Sequence, residues 1–200
     1  MSLWTYFSDS IRVLESARTA WDQSLIDEAV SVVIGALKSG RPLLVCGNGG
    51  SGADAMHLTA ELVGRFLLER RPLNVICLAS NPAVLTACAN DYGFETIFSR
   101  QVQAYGHPGG VLLGISTSGD SKNVVRAFEH ARALGMKTIA LTGEGGGLLA
   151  PLSTHLFAVP SRSTPLIQQA HLCLYHYFCL QIEQGLAERQ PAAQLAAALH

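Results

Sequence analysis

Five short apolar runs, rich in β-branched residues and separated by helical patterns, recur along this 200-residue sequence. They span 42–47, 73–80, 110–116, 137–143 and 155–160, and each has the composition of a buried strand. Strands that alternate with helices pair in parallel, because each helix returns the chain to the edge where the previous strand began. The pattern therefore predicts an α/β fold of the flavodoxin or Rossmann type, a three-layer sandwich in which helices flank a five-stranded parallel sheet.

Helical periodicity accounts for most of the remaining sequence. Helices are expected at 3–20, 24–38, 52–67, 82–89, 93–105, 121–134 and 164–187. Ser24 is expected to cap the second helix and Gly40 to end it. With 48% hydrophobic residues, the chain can form one large core, so we expect a single domain at 1–188 with an N-terminal helical extension. Residues 189–200 are rich in Ala and Gln and are predicted to be a frayed or disordered tail.

The low charge of the chain limits its partners. Charged residues make up 14% of the sequence and the net charge is -1, which is too little positive charge for a face that binds nucleic acid. No apolar run approaches the roughly 20 residues that span a bilayer, so no membrane partner is expected. The terminal helices are apolar on more than one face, which predicts a homo-oligomer.

The five cysteines point to a reducing compartment. They lie within apolar strand or helix patterns and lack the paired spacing of a metal site. Buried, reduced thiols are typical of cytosolic proteins. The sequence therefore predicts a cytoplasmic protein.

A glycine-rich loop, Gly47-Asn48-Gly49-Gly50-Ser51-Gly52, follows the first predicted strand and opens a helix. Its spacing matches the G-x-G-x-x-G pattern of dinucleotide sites, which also need an acidic residue near the end of the second strand. That strand ends in Leu78-Ala79-Ser80-Asn81-Pro82, without an acid. No nucleotide cofactor is expected, and the loop is interpreted as part of a site for a small phosphate ester.

A second loop of this kind, Ser116-Thr117-Ser118-Gly119-Asp120-Ser121, follows the third strand. It places four hydroxyls and several backbone N–H groups at a helix N-terminus, where a phosphate dianion is favoured. A third glycine-rich loop, 142–146, follows the fourth strand. Because the carboxyl ends of parallel strands share one edge of the sheet, these loops predict a sugar-phosphate site there.

His57 and Glu61 form a candidate acid–base or metal site on the helix that follows the first loop. They stand four residues apart, so both side chains leave one face of the helix. Taken alone, such a pair is more often a weak surface ion pair. The last helix adds Gln168, His171 and His176 among apolar neighbours, but spacing alone does not decide which of the two histidines enters a site.

A set of motifs in characteristic order and spacing identifies a relative for this chain. The motifs are Gly47-Asn48-Gly49-Gly50-Ser51, Asp54-Ala55-Met56-His57, Glu61-Leu62, Gly64-Arg65, Asn90-Asp91, Ser116-Thr117-Ser118-Gly119 and Ile167-Gln168. Together they resemble the phosphoheptose isomerases of the sugar isomerase (SIS) fold. The resemblance implies a homotetramer, with sites at subunit interfaces, that converts sedoheptulose 7-phosphate to D-glycero-D-manno-heptose 7-phosphate for ADP-heptose and the lipopolysaccharide core or capsule.

The resemblance also implies roles for individual residues. The expected catalytic residues are Glu61 as the base and His176 as the acid. Residues expected to bind substrate are Asn48, Gly49, Gly50, Ser51, Glu61, Asn90, Asp91, Ser116, Thr117, Ser118, Ser121 and Gln168. A zinc ion held by His57, Glu61, Gln168 and His176 is the expected cofactor, although glutamine is a weak zinc ligand. His171 is assigned to packing or hydrogen bonding.

Two other functions remain open from the sequence. One is a non-catalytic binding protein of the same fold that associates with the DnaA replication initiator. Such proteins lack the counterparts of Glu61 and His176, and this chain has both. The other is an isomerase or sensor for a different sugar phosphate, because a fold does not determine a substrate.

Overall fold

The sheet of this computed structural model has five strands, all parallel, in the spatial order β2-β1-β3-β4-β5. The structure describes residues 1–187, so the tail predicted at 189–200 lies outside the described residues. The strands are β1 (Leu43–Gly47), β2 (Val75–Cys77), β3 (Val111–Ser116), β4 (Lys137–Thr142) and β5 (His155–Ala158). The α/β fold class predicted from the sequence is confirmed.

Helices cover both faces of the sheet. They are α1 (Leu3–Ala20), α2 (Gln23–Lys38), α3 (Gly49–Val63), α4 (Pro82–Tyr92), α5 (Ser99–Tyr105), α6 (Lys122–Ala133) and α7 (Thr164–Leu186), with short 3-10 helices at Phe94–Thr96 and Gly147–Leu152. Side chains along β1 alternate between two cores: Leu43 and Val45 pack with α2, α3 and α7, whereas Leu44 and Cys46 pack with α5 and α6. This alternation follows from the two-residue period of a strand.

Among the predicted boundaries that differ from the structure, three have local explanations. Asp22, not Ser24, is the N-cap of α2, and its carboxylate accepts a 2.8 Å hydrogen bond from the Ser24 amide. The helix predicted over 93–105 starts later: Gly93, with φ +88°, ends α4, a short 3-10 helix follows at Phe94–Thr96, and α5 begins only at Ser99. The glycine-rich start of α3 is already helical at Gly49, three residues earlier than expected.

The strand order creates a crevice between β1 and β3. These strands are neighbours, yet the helix after β1 (α3) packs on one face of the sheet and the helix after β3 (α6) packs on the other. The two loops therefore diverge at the carboxyl edge, which is where open α/β sheets bind ligands. Among residues 1–187, no helix is both long and apolar enough to cross a membrane.

Candidate active site

The first two glycine- and hydroxyl-rich loops are joined by a reciprocal pair of amides. Asn48, at the start of α3, donates to Asn123 at 2.9 Å, and Asn123 donates back at 2.8 Å. Asn123 is only 2% exposed, and its oxygen also accepts from the amide of Val124 on its own helix. The pair sets the distance between the loops. Sequence reasoning did not identify Asn123, since one Asn in the first turn of a helix carries no signal of a partner 75 residues away.

Serine hydroxyls of the second loop converge at the N-terminus of α6. The Ser116 hydroxyl lies 2.9 Å from that of Ser121 and 3.4 Å from that of Ser118, which also accepts from the Asp120 amide. Thr117 lies between them in the chain and is partly exposed. The partial positive charge of the helix start adds to these donors. The loop can therefore hold a phosphate dianion without a lysine or arginine in the loop itself.

The third loop, 142–146, supports the second loop. The Gly143 amide donates to the Thr117 carbonyl at 3.0 Å, and Leu148, just beyond this loop, donates its amide to Asp120. Gly119 has φ +73° and lies so close to the Gly146 carbonyl that a Cβ there would be 2.2 Å from the oxygen. Only glycine can occupy position 119 without displacing one loop from the other.

Helices α3 and α7 pack side by side as they lead away from the loops, and the surface along their seam is called the groove here. Gln168 lies over Gly50, where an added Cβ would be 2.5 Å from the amide nitrogen of Gln168. Two turns further along, the rings of His57 and His176 are 5.0 Å apart and roughly perpendicular. Both helices start at the carboxyl edge of the sheet, where the first two loops lie. The groove therefore leads from these loops to a cluster formed by His57, Glu61 and His176, called the His/Glu cluster here.

The His/Glu cluster combines an open side with a buried side. The Nε2 atom of His57 lies 3.0 Å from Glu61 Oε1, and their side chains are 44% and 25% exposed. His176 packs against Phe66, and its own Nε2 is buried without a hydrogen-bond partner. Burial, followed by the nearby His57, lowers the pKa of His176, while Glu61 raises it. A largely neutral His176 carries one N–H and one lone pair, so it can give or take a proton.

The cluster also offers donor atoms of the kind that zinc prefers, two imidazoles and a carboxylate. The unpartnered Nε2 of His176 fits a missing ligand or ion, since buried polar atoms are normally paired. Within residues 1–187, however, no three His, Cys, Asp or Glu side chains are grouped as a metal site. The donor types fit zinc, and in the structure His57 and Glu61 lie 3.0 Å apart with His176 beside them.

Not every predicted site residue lies near this groove. Asn90 and Asp91 are exposed at the end of α4, and the Asn90 amide donates to the Asp91 carboxylate at 2.8 Å. No described hydrogen bond connects either residue to the loops. His171 is fully buried and contacts the Thr142 carbonyl through Nε2 at 3.0 Å, and burial lowers its pKa to about 4. The structure thus places His171 in the core behind the third loop.

Replacing Gly50 with Ala is expected to impair the site without weakening the fold. The new Cβ would meet the end of the flexible Gln168 side chain, which can move away, while alanine favours a helix over glycine by about 0.5–1 kcal/mol. We expect unchanged or slightly higher stability in urea, and a loss of up to about 10²-fold in kcat/KM because a positioned amide is displaced.

Gly35→Ala is the matched control for this variant, because Gly35 is also helical and a Cβ there meets nothing within 4 Å. It should change stability in the same direction and leave activity unaltered. Full activity of Gly50→Ala would show that the position of Gln168 does not matter to the reaction.

Comparison with known proteins shows close relatives. The family model described as SIS domain matches residues 5–143. The chain is 49% identical over 172 residues to the phosphoheptose isomerase of Crocosphaera subtropica, covering 86% of this chain and 88% of the relative. It is 48% identical over 183 residues to that of Aquifex aeolicus, covering 92% of this chain and 95% of the relative.

Solved structures agree with these sequence relatives. A phosphoheptose isomerase from Francisella tularensis superposes with a TM-score of 0.86 at 40% identity. The match covers 90% of this chain and 95% of that structure.

Proposed function

Because the chain belongs to the phosphoheptose isomerase family of SIS-domain proteins, we propose that it is an aldose–ketose isomerase acting on sedoheptulose 7-phosphate. The product is D-glycero-D-manno-heptose 7-phosphate. The geometry of the groove and the identity of its polar groups support this reaction.

The observation that carries the proposal is the separation between the His/Glu cluster and the first loop, which the Asn48–Asn123 pair joins to the loop that carries the serines. Gly50 lies in the first turn of α3, and His57 lies seven residues later, which is about 10 Å along a helix. An extended seven-carbon sugar phosphate has a length of this order. Its phosphate can bind the serines of the second loop while its carbonyl end reaches Glu61 and His176.

The chemistry requires one proton to move between adjacent carbons and another to move between their oxygens. Glu61 would take the proton from the carbon beside the carbonyl and return it to the neighbouring carbon. His176 would transfer the proton between the two oxygens, which suits a ring with one N–H and one lone pair. Gln168 and Asn48 would hold the sugar hydroxyls, and Ser116, Ser118 and Ser121 the phosphate.

Zinc is the proposed cofactor. His57, Glu61 and His176 would hold it, whereas Gln168, the fourth expected ligand, lies over Gly50, two turns from this cluster. The unpartnered Nε2 of His176 and the donor types of the cluster support it. When bound, the ion would polarise the substrate carbonyl. Elemental analysis of purified protein should find zinc, and treatment with a chelator should lower activity. Full activity in a preparation shown to be metal-free would remove zinc from the reaction.

A homotetramer with sites at subunit interfaces is also proposed. The outer face of α1 exposes Leu3, Trp4, Phe7 and Ile11, each more than half exposed, and such an apolar stripe is typical of an interface. The isolated position of Asn90 and Asp91 is consistent with a role at the site of a neighbouring subunit. Sedimentation velocity should give the mass of four chains, and a monomer at micromolar concentration would refute the assembly.

We also propose that the protein is cytoplasmic and acts in heptose metabolism. All five cysteines are free thiols in the structure, and such thiols suit a reducing compartment. The product would supply ADP-heptose for the lipopolysaccharide core or capsule. A strain without this protein should lack heptose in those glycans, and unchanged heptose content would contradict the pathway assignment.

The decisive experiment is a coupled assay over ketose phosphates of five, six and seven carbons. We expect the highest kcat/KM with sedoheptulose 7-phosphate. A higher value for a shorter sugar would indicate an isomerase for another sugar phosphate. Binding of the ketose phosphate without any turnover would favour the non-catalytic binding protein.

A further inference from the structure

Tyr175 is a fully buried residue of α7 that contacts the His/Glu cluster. Its hydroxyl lies 3.0 Å from Nδ1 of His57 and 3.3 Å from Oδ1 of Asp54. The aromatic ring stands edge-on to the rings of both His57 and His176, with centroids 5.6 and 5.0 Å away. These contacts form a chain, Asp54–Tyr175–His57, that ends at Glu61 on the open side of the groove.

Tyr175 is the one described donor to the Asp54 carboxylate, whose other oxygen has no partner, and this sets the direction of each hydrogen bond. A tyrosine hydroxyl carries one proton, and a carboxylate can only accept. The Tyr175 hydroxyl therefore donates to Asp54, and its oxygen accepts from His57. That assignment requires the proton of His57 to be on Nδ1.

A proton on Nδ1 has a consequence on the other side of the ring. Nε2 of a neutral His57 then carries a lone pair, and this lone pair faces the carboxylate oxygen of Glu61 at 3.0 Å. Two acceptors at that distance repel each other unless a positive centre lies between them. This geometry suits a cation placed between the two atoms.

We propose that Tyr175, anchored by Asp54, is a positioning residue that holds the proton of His57 on Nδ1 and directs its Nε2 lone pair toward Glu61. A buried hydroxyl thus supplies the outer support that histidine ligands commonly receive from a carboxylate or a carbonyl. The functional meaning of this role rests on the proposed function, but the hydrogen-bond assignment does not, because it concerns the protein alone.

The test uses nitrogen NMR of histidine-labelled, metal-free protein at about pH 9, well above an ordinary imidazole pKa. The His57 signals are assigned from a His57→Gln spectrum. In the wild type we expect Nδ1 to be protonated and Nε2 not. Tyr175→Phe retains the aromatic ring but lacks the hydroxyl. In this variant we expect less than half of the His57 side chains to carry the proton on Nδ1, since a proton on Nε2 can be donated to Glu61.

Asp54→Ala provides a second, independent variant. Without the Asp54 acceptor, the Tyr175 hydroxyl turns to donate to Nδ1, so the proton of His57 should move to Nε2. Tyr177→Phe is the matched control, because Tyr177 lies on the same helix and its hydroxyl contacts only the surface residue Gln23 among the described hydrogen bonds. Its His57 spectrum should equal that of the wild type.

Zinc titration and kinetics extend the same test. Tyr175→Phe should bind zinc about 10- to 100-fold more weakly and lose a similar factor in kcat with little change in KM. A wild-type spectrum with the proton on Nε2, or a Tyr175→Phe spectrum identical to wild type, would overturn the assignment even if the enzyme is an isomerase. Absence of isomerase activity with the expected spectra would instead contradict only the proposed function.

Discussion

Glu61→Gln is expected to lower kcat by about 10²- to 10⁴-fold, the usual contribution of a general base, while substrate affinity changes little. Glutamine has the size of glutamate and its amide can keep a contact with His57, so the groove should retain its shape. What it loses is the ability to take a proton from carbon. The measurement is steady-state turnover of sedoheptulose 7-phosphate together with calorimetric binding of the same sugar to the inactive variant.

Glu129→Gln is a suitable control for this substitution, because it makes the same change of charge at an exposed position on α6, away from the groove. It should retain wild-type turnover. If Glu61→Gln also retained wild-type turnover, Glu61 could not be the base. If it lost affinity in proportion to activity, Glu61 would act in binding rather than in proton transfer.

Glu183→Ala is expected to cost about 3–5 kcal/mol of stability, the penalty for breaking a buried ion pair. The carboxylate is fully buried on α7 and accepts hydrogen bonds from three consecutive amides, those of residues 66, 67 and 68, at 2.7 to 2.9 Å. The guanidinium of Arg70 lies 3.3 Å away and also donates to the carbonyls of Gly64 and Glu61. This network fixes the backbone of the segment after α3 and thereby keeps Phe66 packed against His176.

Urea unfolding of Glu183→Ala, Arg70→Ala and the double variant would measure the interaction. Because either single change leaves a buried charge or buried amides without a partner, the double variant should cost less than the sum of the two. Glu183→Gln retains one accepting oxygen and provides a milder variant if the alanine form does not fold. Additive losses, or a loss no larger than that of the exposed Glu129→Ala, would show that the network contributes little.

Much of the fold and part of the site were predictable from local patterns. Alternating apolar runs indicated the strands, and glycine with hydroxyl residues after β1 and β3 indicated the loops. The spacing of His57 and Glu61 predicted a shared helix face, and the structure places them 3.0 Å apart. The N-cap of α2 was misplaced because two neighbouring polar residues, Asp22 and Ser24, compete for that role.

The sequence of this chain was enough to establish which elements form, where the glycine-rich loops lie and which helix carries the first acid–base pair, because these depend on residues within one or two turns. The tertiary structure alone decided how distant residues meet. Asn48 pairs with Asn123 across 75 residues, Tyr175 with His57 across 118, and Glu183 with Phe66 across 117.

The physical reason lies in the strand order and the direction of the crossovers. Because β1 and β3 are neighbours while α3 and α6 leave on opposite faces, the two loops flank one crevice at the carboxyl edge. Because α7 returns beside α3, His176 joins His57, and Tyr175 and Glu183 support the groove from within. No local pattern encodes those contacts, since they arise only when helices packed on the same sheet come side by side.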